Sequence, residues 1–151
     1  MVRWLIICLL LFAGCPESPK KPKEQLPIAQ RMLKYENALR KKKGLPPRTL
    51  SPELTKAAQA YADLMARQGR FGHFLDQDPW KRATRAGYQF QALTENIAKG
   101  QPSVDTAYGG WRTSPKHWKA VLNKMPDAGY GHAVSVDGDD YWVAMYGKRK
   151  R

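Results

Sequence analysis

The sequence predicts an α+β domain. From Leu26 to Asn123 apolar residues recur mostly at spacings of three and four, interrupted by Pro, Gly and capping residues, whereas from Tyr130 to Tyr146 they alternate. Helices gathered first and strands last favour layers of helix on sheet over a parallel βα sheet. A chain of 151 residues has room for one such domain around one core.

Taken in order, Met1 to Gly14 carries one basic residue, Arg3, before an apolar run from Trp4 to Ala13. Ten apolar residues fall short of the ~20 that cross a hydrocarbon core, so residues 1–14 read as a signal peptide. Leu11-Phe12-Ala13-Gly14-Cys15 resembles a bacterial lipobox, with Cys15 as the lipidated N-terminus and Phe12 where that motif usually has Leu. Residues 15–25 hold three prolines and no large apolar side chain, the composition of a disordered tether. The domain proper is expected over 26–147, with 148–151 a basic tail. Cys8 and Cys15 are the chain's two cysteines, so its body has no intrachain disulfide and depends on its core.

Ile28, Met32, Tyr35 and Leu39 form one helical face with Lys34, Glu36, Arg40 and Lys41 opposite, and Gly44 and Pro46-Pro47 close that helix. A second helix starts at Ser51-Pro52, a capping serine before a proline at the first helical position, and ends at Gly69. Its face of Leu54, Ala57, Ala58, Tyr61, Ala62, Leu64 and Met65 is small enough for close approach to a sheet. Asp78-Pro79 caps a short helix through Arg85, and Tyr88 to Leu93 alternates weakly as a strand leading into Glu95-Asn96. Ser103 starts a helix through Trp111, and Ser114-Pro115 starts the next, with Ser114 placed to cap. Tyr130 to Val136, the turn Asp137-Gly138-Asp139-Asp140, and Tyr141 to Tyr146 form a hairpin.

Four ordered motifs stand out: Gly72-His73-Phe74, Glu95-Asn96-Ile97-Ala98, Ser114-Pro115-Lys116-His117 and Gly129-Tyr130-Gly131-His132. Over roughly Pro27 to Gly147 the chain resembles the CAP superfamily (cysteine-rich secretory proteins, antigen 5, pathogenesis-related 1), in particular its cysteine-poor bacterial members. The resemblance implies an α-β-α sandwich with a small antiparallel sheet between helices. It also implies a cleft of two His and two acidic residues, of which His73, Glu95 and His117 have matches. Asp76 and Asp78 are candidates for the fourth. Lys116, Trp118 and Ala120 stand where relatives usually have Gly, Arg and Asn, which makes Trp118 a cleft candidate and the cleft more apolar.

Two imidazoles and a carboxylate suffice for zinc or another divalent cation with a position left open. Against that, no His-x-x-x-His or His-Glu-x-x-His spacing occurs. The bland alternative makes Glu95 a structural acceptor, in which case a Gln at 95 should cost little. Ser114 is explained by capping and no Gly-x-Ser-x-Gly elbow exists, so nucleophilic hydrolysis has no candidate. His132 reads as a strand-surface residue. Lys and Arg outnumber Asp and Glu by 26 to 13, a formal +13, which favours anionic partners. The basic runs lack the interleaved aromatics of a nucleic-acid stacking surface, so nucleic acid is not the expected partner. The expectation is a lipid-anchored, extracytoplasmic binding module at a bacterial envelope, its ligand lipid-like or an anionic wall component and its partners the membrane and the anionic envelope surface. The alternative is a metal-dependent hydrolase using His73, Glu95 and His117.

Overall fold

The alternating residues at the end of the chain supply the middle of the sheet. β3 (Asp127–Val134) and β4 (Asp140–Arg149) pair antiparallel, with Tyr130 opposite Ala144 and His132 opposite Trp142. The structure is a computed structural model that describes residues 26–150. The expected signal peptide, the lipidated Cys15, the tether up to residue 25 and Arg151 lie outside the described residues. β2 (Phe90–Lys99) adds antiparallel to β4, and the two-residue β1 (Thr49–Leu50) adds parallel to β3, giving the order β1-β3-β4-β2. The sheet is therefore mixed, with a single short parallel pair at one edge.

Among the described residues five helices cover its faces: α1 (Ile28–Lys42), α2 (Pro52–Gln68), α3 (Pro79–Arg85), α4 (Val104–Arg112) and α5 (Pro115–Leu122). α2 and α3 enclose one core with Leu93, Ile97, Tyr141, Val143 and Met145. α1, α4 and α5 enclose the other with Ala98, Ala128, Tyr130, Trp142, Ala144 and Tyr146. This is the α-β-α sandwich that the resemblance implies. Pairs such as Val143 and Ala144 serve opposite cores because successive strand side chains point to opposite faces. α2 lies almost against the backbone of β3, where a Cβ on Gly129 would sit 2.2 Å from the Leu54 carbonyl carbon and one on Gly131 2.4 Å from that of Ala58. Among the described residues no helix is long and apolar enough to cross a membrane.

The helix starts obey the expected local chemistry. Ser51 accepts from the Leu54 N–H (3.2 Å) and Asp78 from the Lys81 N–H (2.8 Å), while Gly69 ends α2 in the left-handed region at φ 61°. Ser114 departs from expectation: it occupies the N-cap of α5 without a side-chain capping bond. Both ends of the sheet also run longer than expected. β2 extends to Lys99, so Glu95 and Asn96 lie within the strand and not beyond its end. β4 takes in Lys148 and Arg149, so these are not tail: Arg149 lies over the Tyr88 ring (4.6 Å) and donates to Glu53 (2.9 Å).

The larger correction concerns α1, whose buried residues are Ala29, Met32, Glu36 and Arg40. Glu36 and Arg40 were expected on the solvent side, yet they are 0% and 1% exposed. Glu36 pairs with Arg48 and accepts the hydroxyls of Tyr108 and Tyr146 (2.8 Å each). Arg48 also donates to the carbonyls of Ala120 (3.1 Å), Val121 (3.0 Å) and Asn123 (3.2 Å). Arg40 reaches the Val121 and Asn123 carbonyls (3.0 and 2.9 Å) and that of Pro46 (3.0 Å). Burial, then the neighbouring Arg48, lowers the Arg40 pKa, but a guanidinium is basic enough to stay charged. The last carbonyls of a helix lack intrahelical partners and carry partial negative charge. Two arginines here satisfy those of α5, and Glu36 balances one of them.

Removing one member of a buried ion pair costs roughly 3–5 kcal/mol, because the remaining charge is stranded. Arg48→Met should therefore lower the unfolding free energy by about that amount in urea titration. A loss below about 1 kcal/mol, the size of an exposed pair, would contradict the network.

Candidate functional site

β2 is an edge strand, and its Glu95-Asn96 dipeptide touches both helical layers. Glu95 points to the α2/α3 side, where its side chain is 1% exposed. Its Oε2 accepts from Arg82 Nη2 (2.6 Å) and its Oε1 from His73 Nδ1 (2.9 Å). A carboxylate beside a guanidinium can only accept, so Nδ1 of His73 carries a hydrogen and Nε2 is the nitrogen left for a ligand. Asn96 points the other way, and its amide donates to the His117 carbonyl (3.0 Å) on α5.

Each wall follows from its local sequence. Gly69 releases the chain from α2 into the loop bearing His73, and the Tyr61 hydroxyl fixes that loop by donating to the Gly72 carbonyl and accepting the Leu75 N–H (3.3 Å). Asp78 and Pro79 start α3 so that Arg82 falls one turn in, on the buried face with Pro79 and Ala83. The Arg82 guanidinium lies 3.4 Å above the Tyr61 ring and donates to the carbonyls of His73 (3.0 Å) and Gln77 as well as to Glu95. On the far side Pro115 starts α5, which places Lys116 and His117 on its first turn.

Between the walls lies a cleft of about 190 Å³, with Leu93, Thr94, Glu95 and Asn96 beneath His73, Phe74 and Trp80 on one side and Lys116, His117 and Ala120 on the other. His73, Glu95 and His117 thus meet in one cleft. Trp118 does not line it, because one residue of helical rotation past His117 turns it toward the α1/α4/α5 core, where Arg112 lies 5.4 Å from its ring. The fourth, acidic position is also unfilled by the candidates: Asp76 sits 3.8 Å from Arg85 and Asp78 caps α3, and neither lines the cleft. Ser114 sits at the N-cap of α5 with no side-chain capping bond. His132 is a strand-surface residue, stacked 4.0 Å from the Trp142 ring with Nε2 2.6 Å from Asp140.

The donor set does not fit the zinc site sketched from sequence. Both Glu95 oxygens are engaged, one by a guanidinium that would repel a cation, and among the described residues no group of three His, Cys, Asp or Glu side chains is arranged to hold one. Sequence reasoning also missed Arg82. Its signal was available, since helical spacing puts residue 82 on the face of Pro79 and Ala83.

The sequence pattern of the cysteine-rich secretory protein family (CAP) matches residues 33–146. The uncharacterised protein YkwD of Bacillus subtilis is 28% identical over 120 residues, which cover 78% of this chain and 46% of that protein, so the chain spans under half of its relative's length. An outer surface protein from Borrelia burgdorferi superposes with a TM-score of 0.74 at 26% identity, over 80% of this chain and 92% of that one. An extracellular SCP-domain protein from Bacillus anthracis shares the fold, with a TM-score of 0.71 at 22% identity over 80% of this chain and 40% of its own.

Burial lowers the His117 pKa below 6.5, and the nearby His73 and Lys116 lower it further. A depressed imidazole pKa means that the folded state resists protonation, so this group's contribution to stability is present above the unfolded value of about 6.5 and is lost as pH falls below it. Titration of the His117 ring by NMR should give a midpoint below 6.5. A midpoint at or above 6.5 would contradict its placement against Lys116 and His73.

Proposed function

We propose that this chain, which belongs to the cysteine-rich secretory protein (CAP) family, is an extracytoplasmic binding module of a bacterial cell envelope. Its ligand site is the cleft of His73, Glu95 and His117, and its ligand is an anionic envelope component. The observation that carries this reading is the state of Glu95. With each oxygen engaged, one of them by a guanidinium, it is better placed to serve as a brace than as a metal ligand or a general base. What the cleft offers a visitor is the Lys116 ammonium, which suits an anion, beside the His117 ring and the bare Nε2 of His73, which accepts a hydrogen bond. The metal-dependent hydrolase reading would need that same carboxylate free.

The extracytoplasmic location is supported by the apolar leader, by the lipobox-like Ala13-Gly14-Cys15 and by similarity to proteins described as outer-surface and extracellular. Lipid on Cys15 and the tether of residues 15–25 would hold the domain near a membrane. Mass analysis of the mature N-terminal peptide tests this directly; an unmodified chain starting at Met1 removes the anchor from the proposal.

A second ligand class, an anionic amphiphile, is favoured by the groove of about 330 Å³ between α2 and α3. It has a floor of Ala57, Ala60, Tyr61 and Leu64, and around it stand Lys56, Arg67 and Arg85 with Asp76, which lies 3.8 Å from Arg85. Sedimentation with cell-wall sacculi and with phosphatidylglycerol vesicles separates the two readings. Sacculus binding should weaken as salt shortens the Debye length from ~10 Å at 0.1 M, and Lys116→Glu should weaken it roughly fivefold, about 1 kcal/mol. Salt-insensitive binding that ignores Lys116→Glu would overturn the cleft reading. Vesicle binding that is lost in Lys56→Glu instead would favour the groove.

A further inference from the structure

The edge strand β2 has backbone groups with no strand to meet. In an antiparallel ladder the N–H and C=O of one residue point to the same side, and successive residues point to opposite sides. The Gly100 N–H donates to the Asp140 carbonyl (2.8 Å), which continues the ladder and assigns the even-numbered residues of β2 to β4. Ile97 shows the other phase: its carbonyl accepts the Trp111 indole N–H (3.0 Å) from outside the sheet. Leu93 and Glu95 share that phase, so their N–H and C=O groups face outward.

Outward, at these two residues, is the cleft. No turn or loop among the described residues bonds to these four groups. The Glu95 side chain is 1% exposed while the residue as a whole is 8% exposed, so it is the main chain that solvent reaches. Edge strands are usually blunted by Pro, Lys, a bulge or a covering element. Here the bulge between Phe90 and Ala92 guards one end and Trp111 the other, while Leu93-Thr94-Glu95 between them is left bare.

We propose that this bare edge docks an extended peptide, which adds as a fifth strand by exchanging backbone hydrogen bonds with Leu93 and Glu95. Side chains of an added strand alternate between the two faces of the sheet. One set would meet Phe74 and Trp80, exposed by 67% and 46%; the other would meet Lys116 and His117. The occupant is therefore an acidic peptide with large apolar side chains at every second position. The inference rests on the cleft being the ligand site and narrows its ligand to a peptide.

The test uses the protein with a positional-scanning library of N-acetylated, C-amidated hexapeptides that carry glutamate at alternate positions. Anisotropy should find members binding more tightly than ~1 mM. N-methylation of the peptide amide that meets Glu95 should weaken the best member roughly tenfold, while N-methylation of the next amide, which faces away, leaves it unchanged. Binding should also slow hydrogen exchange at the Leu93 and Glu95 amides. The proposal is overturned if no hexapeptide binds below ~1 mM, if the two N-methylations act alike, or if those amides are unprotected. Sacculus binding that keeps its Lys116 dependence in that event ends strand docking alone; loss of both ends the cleft reading as well.

Discussion

The cleft depends on one carboxylate having two oxygens and two donors. Glu95 is closed off from water at its side chain, and an unpartnered charge there would be expensive, so Arg82 and His73 must both reach it. That requirement fixes the position of α3 against β2 and of the His73 loop against both. Arg82 adds its own constraints through the Gln77 and His73 carbonyls and the Tyr61 ring. Replacing Glu95 by Gln is consequently not the mild change that a simple acceptor role suggests. An amide offers one acceptor oxygen, and its NH₂ would confront a donor on Arg82 or His73.

The opposite wall is held by a separate set of buried charges. Arg40 and Arg48 take the last carbonyls of α5, Asn96 takes the His117 carbonyl, and Glu36 offsets the arginines within a ring of tyrosines. Burial, with the Glu36 charge next, raises the pKa of Tyr108 and Tyr146 well above 10, so those hydroxyls stay protonated as donors. Each layer thus has its own polar anchor, and β2 joins them through neighbouring side chains that point in opposite directions. A cleft braced in this way loses little freedom when a ligand enters, which favours recognition.

Much of the fold was legible because the chain punctuates itself. Ser51-Pro52, Gly69 and Asp78-Pro79 mark helix ends through local chemistry, and local chemistry survives folding. Glu36 and Arg40 were misplaced because polarity on a helix reports solvent only when no distant partner exists; Tyr108 and Tyr146 lie 72 and 110 residues further on. The length of β2 was obscured for a related reason. Covered on both faces, Leu93 to Ala98 has no alternation of apolar and polar residues to announce a strand. His73, Glu95 and His117 came from motifs and do share the cleft, whereas Trp118 was a candidate because it stands where relatives usually have Arg, and the helix, turning about 100° per residue, carries it away from the cleft that His117 lines.

The central claim is that Glu95 is a brace whose second oxygen is taken by His73, and the hydrogen on that ring reports it most directly. A long-range ¹H–¹⁵N correlation spectrum, recorded with the ring neutral, distinguishes the two tautomers. The account predicts the hydrogen on Nδ1, facing Glu95, with Nε2 bare toward the cleft. A ring protonated at Nε2, with Nδ1 bare against the carboxylate, would contradict it.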